Sequence, residues 1–175
     1  MQECSWSAQK GASLREFFER LVGRLSEEIK LFYSDRLVSL VVFGSVGRGT
    51  ATAESDIDFL IIARDLPSGR VKRVSEFTTV ENRLNDDVNE FKKQGVHPCL
   101  SPVIKTPEEV LHGSPLFLDM IFDSLILYDK GRFFETFLAR LNERLGHLGA
   151  RRIVQGDRWY WDLKPDYQIG QVFEI

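Results

Sequence analysis

The sequence predicts an α/β (α+β) fold, a mixed β-sheet flanked by helices within one domain. Two patterns point there. Long segments with apolar residues at helical spacing alternate with short, continuous β-branched runs, and Gly or Pro marks most of the junctions. The length sets the scale: 175 residues suffice for one well-packed core and fall short of two ordinary domains.

Residues 1–12 read as a flexible tail. Ser13 with Glu16 has the form of a capping box and precedes Leu14, Phe17, Phe18, Leu21, Leu25, Ile29 and Phe32 at helical spacing, predicting a helix over 13–33. Leu37 to Phe43 is a buried strand that stops at Gly44, and Ile57 to Ala63 is the next. Pro67-Ser68-Gly69 opens a charged helix over 70–94, with Val71, Val74, Phe77, Val80, Leu84, Val88 and Phe91 on one face and Gly95 as its stop.

Leu100 to Thr106 is a third strand, and Pro102 suits an edge position. Thr106-Pro107-Glu108-Glu109 is a helix start with Thr as cap. Pro115 to Ser124 is a helix and Leu125 to Tyr128 a short strand. Arg132 to Leu148 is a helix carrying Phe133, Phe134, Phe137, Leu138, Leu141 and Leu145 on one face. The remainder, with β-type residues around Gly156 and Gly170, predicts two more strands. The chain thus divides into the tail 1–12, a core over 13–128, and a C-terminal helix with a short β extension over 129–175, packed on the same domain.

Composition narrows the function classes. A content of 43% hydrophobic and 28% charged residues describes a soluble globular chain, and thirteen Phe and three Trp supply core material. A net charge of -3 argues against a dedicated nucleic-acid binder, although a local basic patch stays open. Cys4 and Cys99 allow one disulfide but form no metal-binding spacing, so a reducing compartment is the simpler reading. No run approaches a membrane span, and MQECSWSAQKGAS lacks the features of a signal peptide, giving a cytoplasmic expectation.

The chemistry concentrates in VVFGSVGRGTATAESDIDFLII, residues 41–62. Gly44, Gly47 and Gly49 let backbone approach a ligand, and a helix starting at Ser45 would aim N–H groups at an anion. The Ser45 hydroxyl and Arg48 would add hydrogen bonds and charge. Alone, these glycines favour an unliganded strand-to-helix turn. Asp56 and Asp58 change the balance. On a strand they project to one face while Ile57 faces the core, and two carboxylates this close repel unless a cation lies between them. Mg²⁺ takes such pairs and completes its shell with phosphate oxygens and waters. The alternative is an Asx-type turn or solvated strand edge, which explains Asp56 better than Asp58.

Gly-Ser at the end of one apolar strand, then Asp-x-Asp opening another, resembles the nucleotidyltransferase superfamily that includes DNA polymerase β, in its minimal form. Those minimal members occur with HEPN-domain partners or alone. The resemblance rests on these 22 or so residues, and the surrounding order of elements extends it over 13–128. No Gly-Lys-Ser/Thr follows the glycines, so this is not a P-loop.

The resemblance implies a Mg²⁺-dependent transfer (Mn²⁺ as a substitute) of a nucleoside monophosphate from an NTP, ATP favoured, with release of pyrophosphate. The acceptor would be a hydroxyl on a protein, RNA or small molecule. Asp56 and Asp58 would be catalytic and hold metal, while Gly44, Ser45, Arg48 and Ser55 would bind the nucleotide. It also implies a HEPN-domain partner, and a homo-oligomer is a further expectation. One departure stands out: the family places a third carboxylate on the next strand, and LSPVIKT (100–106) brings none. Lys105 would oppose a cation if it pointed inward. Asp119, Asp123, Asp162 or Glu174 would have to substitute. The alternative reading is therefore a weakly active or inactive partner protein, such as the antitoxin of a HEPN-type toxin.

Other features have plainer readings. Trp159, Tyr160 and Trp161 among Arg151, Arg152 and Arg158 could stack on RNA. A strand with both Trp on its inner face is the simpler account. His97, His112 and His147 are surface residues without ligand spacing, and Cys99 reads as buried and inert.

Overall fold

The computed structural model describes residues 5–156 and 158–173. Among the described residues, six helices of α type and six strands follow in the order α1 (Ser5–Tyr33), β1 (Leu37–Phe43), α2 (Gly44–Gly47), β2 (Ile57–Ala63), α3 (Arg70–Lys93), β3 (Leu100–Lys105), α4 (Pro107–Leu111), α5 (Leu116–Asp123), β4 (Leu125–Asp129), α6 (Phe133–His147), β5 (Arg151–Gln155) and β6 (Arg158–Asp162). β1 to β4 form one mixed sheet in the order β3-β2-β1-β4, and β5 with β6 forms a separate hairpin. β1 runs antiparallel to β2 and β4, while β2 and β3 are parallel.

The sheet is buried on both faces at its centre, which is why β1 and β2 read as unbroken apolar runs. Leu40, Val42, Ile57, Phe59 and Ile61 face α1 and α3, where they meet Phe17, Leu21, Leu25, Phe77 and Leu84. Val38, Val41, Leu60 and Ile62 face α4, α5 and α6, where Phe117, Met120, Phe134 and Leu141 close the second layer. The strand period of two divides β2 between the two cores, while register irregularities in β1 send Val38 and Leu40 to opposite cores. β3 is an edge strand, so Pro102 removes no ladder bond that the sheet needs.

Local chemistry sets the ends. Thr106 caps α4 through a complete capping box with Glu109, whose carboxylate also accepts from Arg73 Nη1 at 2.6 Å. The start of α6 is fixed by a residue the sequence pattern did not single out. Asp129 accepts from the N–H groups of Phe134 and Glu135 at 3.0 Å each, and from the buried Ser39 hydroxyl at 2.6 Å. This one carboxylate caps the helix and ties it to the sheet centre.

Several expectations are corrected. α1 begins by Ser5, so the Ser13–Glu16 pattern lies inside the helix and does not start it, and residues 5–12 are helical. Residues 1–4 of the expected tail, including Cys4, lie outside the described residues, as does Glu174. Val71 is 82% exposed, because α3 meets the core only from its second turn onward. Gly170 sits in a turn that joins no strand. Cys99 is exposed: it lies in the lead-in to the edge strand, where no element covers it. Among the described residues, no helix is long and apolar enough to cross a membrane.

Candidate active site

Antiparallel pairing of β1 and β2 brings the end of one strand to the start of the other, with Phe43 in register with Asp58. The chain that leaves β1 as Gly44-Ser45 therefore begins beside the carboxylate that enters β2. Gly44 has φ +68°, and a Cβ built there would collide with Asp58 Oδ2 and lie 3.2 Å from its Cγ. Only glycine supplies both that backbone angle and the space. Gly47 answers a different constraint. A Cβ there would come within 2.9 Å of the Asp123 carbonyl and 3.0 Å of the Val42 carbonyl, so α2 packs directly on the end of α5.

The loop between the strands is closed by its own hydrogen bonds. Arg48 N–H donates to the Gly44 carbonyl at 3.1 Å and Thr50 N–H to the Ser45 carbonyl at 2.9 Å. Ser55 Oγ accepts from Thr52 N–H at 2.8 Å, and Ser55 N–H donates to the Thr52 carbonyl at 3.1 Å. This reciprocal turn places Asp56 at the mouth of β2. Ser55, expected at the nucleotide, thus has its hydroxyl engaged in holding the loop.

Asp56 precedes the strand and is exposed, Ile57 is fully buried, and Asp58 is half-buried on the face opposite Ile57. Partial burial pushes the Asp58 carboxyl above the usual carboxylate range, and the charge of Asp56 pushes it further, with Arg48 opposing. Two carboxylates that repel, beside a glycine that leaves them room, suit a hard divalent cation whose shell is completed by waters and phosphate oxygens. Among the described residues no third His, Cys, Asp or Glu joins them.

The structure accounts for most of the candidate substitutes. Asp119 accepts from both Trp159 Nε1 at 2.9 Å and Trp161 Nε1 at 3.0 Å. Asp123 pairs with Arg152 Nη2 at 2.6 Å. Asp162 ends β6, opposite Arg151. Ser101 stands on β3 where an acid would be needed, in register with Asp58. Lys105 does not oppose the pair: it is in register with Ile62, near the other end of β2, and lines a groove with Arg70, Arg73 and Glu109.

Both indole N–H groups of the C-terminal hairpin reach one oxygen of Asp119, so Trp159 and Trp161 share the inner face while Tyr160 is exposed. His97, His112 and His147 are exposed. A contact invisible in the sequence lies at the same place: the Arg48 guanidinium sits 5.0 Å from the Trp159 ring centroid. The separation of more than a hundred residues between them left no periodic signal to follow.

Residues 22–141 match the profile of the nucleotidyltransferase domain. A Methanocaldococcus jannaschii protein named "Putative protein adenylyltransferase" is 30% identical over 147 residues, which cover 82% of this chain and 94% of that one. Among solved structures, a toxin–antitoxin bound to AMP-PNP shares 19% identity at a TM-score of 0.45, covering 70% of this chain and 88% of that one. The toxin–antitoxin MntA-HepT shares 16% at a TM-score of 0.41, covering 71% and 86%. The profile spans more than half of the sequence and the archaeal relative is matched over most of its length; the chain belongs to the polymerase β-like nucleotidyltransferases.

Proposed function

We propose that this protein transfers the nucleoside monophosphate of an NTP, ATP favoured, to a hydroxyl group on a protein, releasing pyrophosphate. The observation that carries the reading is the contact of Gly44 with Asp58, which joins the phosphate-type turn and the carboxylate pair into one site. The name of the archaeal relative favours adenylyl transfer and a protein acceptor over RNA or a small molecule.

Mg²⁺, with Mn²⁺ as a substitute, would supply Lewis-acid stabilisation of the phosphate oxygens and of the attacking hydroxyl. Asp56 and Asp58 would hold it. The backbone at Gly44 and Ser45 and the Ser45 hydroxyl would orient the β- and γ-phosphates, and Arg48 would offset the charge that gathers on the leaving pyrophosphate. Ser55 would act through the turn that presents Asp56. The acceptor hydroxyl would attack the α-phosphorus in line, its oxygen bonding to phosphorus and its proton passing to solvent as the bond to the bridging oxygen of pyrophosphate breaks.

A second reading has its own support. With only two carboxylates gathered among the described residues, turnover would be slow, and the fold would serve chiefly as a binding partner, such as an antitoxin for a HEPN-domain toxin. α-Labelled and γ-labelled ATP separate the two. Adenylyl transfer leaves the α-label on an acceptor and none of the γ-label. Asp56→Asn with Asp58→Asn should abolish labelling while the circular dichroism spectrum stays unchanged. Labelling that persists in the double variant refutes the assignment. No labelling by wild type, with stable co-purification of a helical partner, favours the second reading.

A further inference from the structure

The C-terminal hairpin lies outside the matched domain, which ends at residue 141, yet it touches the phosphate-type loop. We propose that Trp159 is a positioning residue for Arg48, so that the β5–β6 hairpin completes the triphosphate site. The inference rests on Arg48 being a triphosphate contact.

Four observations support it. Arg48 is exposed and lies over the half-buried Trp159 ring at 5.0 Å, a distance at which the ring quadrupole attracts a guanidinium. The ring is itself fixed, because Trp159 Nε1 donates to Asp119 Oδ1 on α5 at 2.9 Å. Arg152 Cζ lies 4.6 Å from the same ring centroid, and its Nη2 is bound to Asp123 Oδ2 at 2.6 Å. Trp161 and Phe122, stacked at 6.0 Å, fasten the next step of the hairpin to α5.

The same end of α5 sets the loop from below, since Gly47 packs on the Asp123 carbonyl. Backbone and side chain of the Gly47-Arg48 pair are thus both referenced to α5. An exposed arginine on a glycine-rich loop would otherwise spread over many rotamers and lose that entropy when it met a phosphate. Holding the guanidinium in advance removes part of that loss. With two guanidinium groups about the ring, Trp159 serves as a support for cations and not as a platform for a nucleobase.

The test is a double-variant cycle on the full chain, using the affinity for a non-hydrolysable ATP analogue with Mg²⁺. Trp159→Leu should weaken binding about 3- to 10-fold, the range that one cation–π contact sustains. Trp159→Phe, which keeps an aromatic face, should recover most of it. In the Arg48→Gln background Trp159→Leu should have no further effect. Asp119→Ala, which removes the acceptor of the indole N–H and leaves the ring, is the second variant and should weaken binding through Arg48 alone. The Arg48 Nε–H proton signal reports the contact without nucleotide, and should lose its ring-current shift in Trp159→Leu. Full additivity of the Arg48 and Trp159 effects, or an unmoved Arg48 signal, overturns the proposal and leaves the site reading standing. Wild-type protein that binds no analogue overturns both.

Discussion

Gly44 and Gly49 form a natural pair of probes, because their φ angles are nearly alike and their surroundings are not. Their φ angles are +68° and +72°; a Cβ at Gly49 meets nothing within 4 Å, whereas at Gly44 it meets the Asp58 carboxylate. Alanine at either position takes on the left-handed cost of about 1–2 kcal/mol. Restricting the unfolded chain returns about 0.4–1 kcal/mol of this. Gly49→Ala should therefore lose about 1 kcal/mol, or roughly 2–4 °C in midpoint for a chain of this size. Gly44→Ala carries the same loss and also displaces Asp58. Ile57 and Phe59 on either side are fully buried, so the strand cannot yield and the Asp58 side chain must rotate. An off-rotamer carboxylate adds about 0.5–1.5 kcal/mol, giving a total near 2 kcal/mol. The functional consequence should be far larger than the difference in stability. Gly44→Ala should lose divalent-cation binding by calorimetry and transfer by α-label, while Gly49→Ala retains both. Equal behaviour of the two variants, in melting and in cation binding, would refute the claim that Gly44 makes room for Asp58.

Two further outcomes follow from the carboxylates. Asp58 holds its proton more tightly folded than unfolded, so its favourable contribution is complete below the ordinary carboxylate range and is lost as pH rises through the elevated folded value. Asp58→Asn should thus melt above wild type near pH 7 without metal, by up to about 1 kcal/mol given the screening at a half-exposed group, and the gap should close in acid. Millimolar Mg²⁺ should raise the wild-type midpoint and leave the variant unmoved; a wild type at or above the variant near pH 7 contradicts the sign. Ser101→Asp places a third acid on β3, in register with Asp58 and on the same face, and should tighten Mn²⁺ binding about tenfold by titration. Unchanged affinity in a folded Ser101→Asp protein would show that β3 is not the side from which the pair can be completed.

The parts of the fold that were legible are those whose signal is local. β1 and β2 end where their apolar runs end, since burial on both faces leaves no polar position inside them except Ser39 and Asp58. The juxtaposition of Gly44 with Asp58 in the candidate site was legible because its two halves flank one short loop. What escaped is long-range or non-periodic. The continuation of α1 to Ser5 has no apolar repeat to announce it, and a capping-box spacing inside a helix looks the same as one at its start. Asp129 caps α6 from beyond a 3₁₀ turn, where Arg132 adopts φ +55°, so the usual spacing between cap and helix is absent. Cys99 looked buried because the apolar run beside it is a strand, and only the sheet order shows that strand to be an edge. The Asp119, Trp159 and Arg48 contacts join three segments that sequence spacing cannot relate.

The lack of an acid on β3 also bears on where the chemistry has its support. A metal site with three carboxylates can fix a cation before substrate arrives. Under the proposed function, a pair with one member exposed and the other resisting ionisation through burial and repulsion would hold a cation weakly by itself and more tightly once the triphosphate oxygens supply the missing negative charge. Under that arrangement the triphosphate must be oriented by something other than the metal. The groups available at this end of the sheet are the Gly44-Ser45 backbone, held by register against Asp58, and Arg48, held against Trp159. Both are referenced to rigid elements, the first to β2 and the second to α5. Under the proposed function, the hairpin that closes on Arg48 and the strand that brings no acid to Asp58 would be two sides of one design, in which preorganised protein contacts carry more of the substrate's charge and the metal pair carries less.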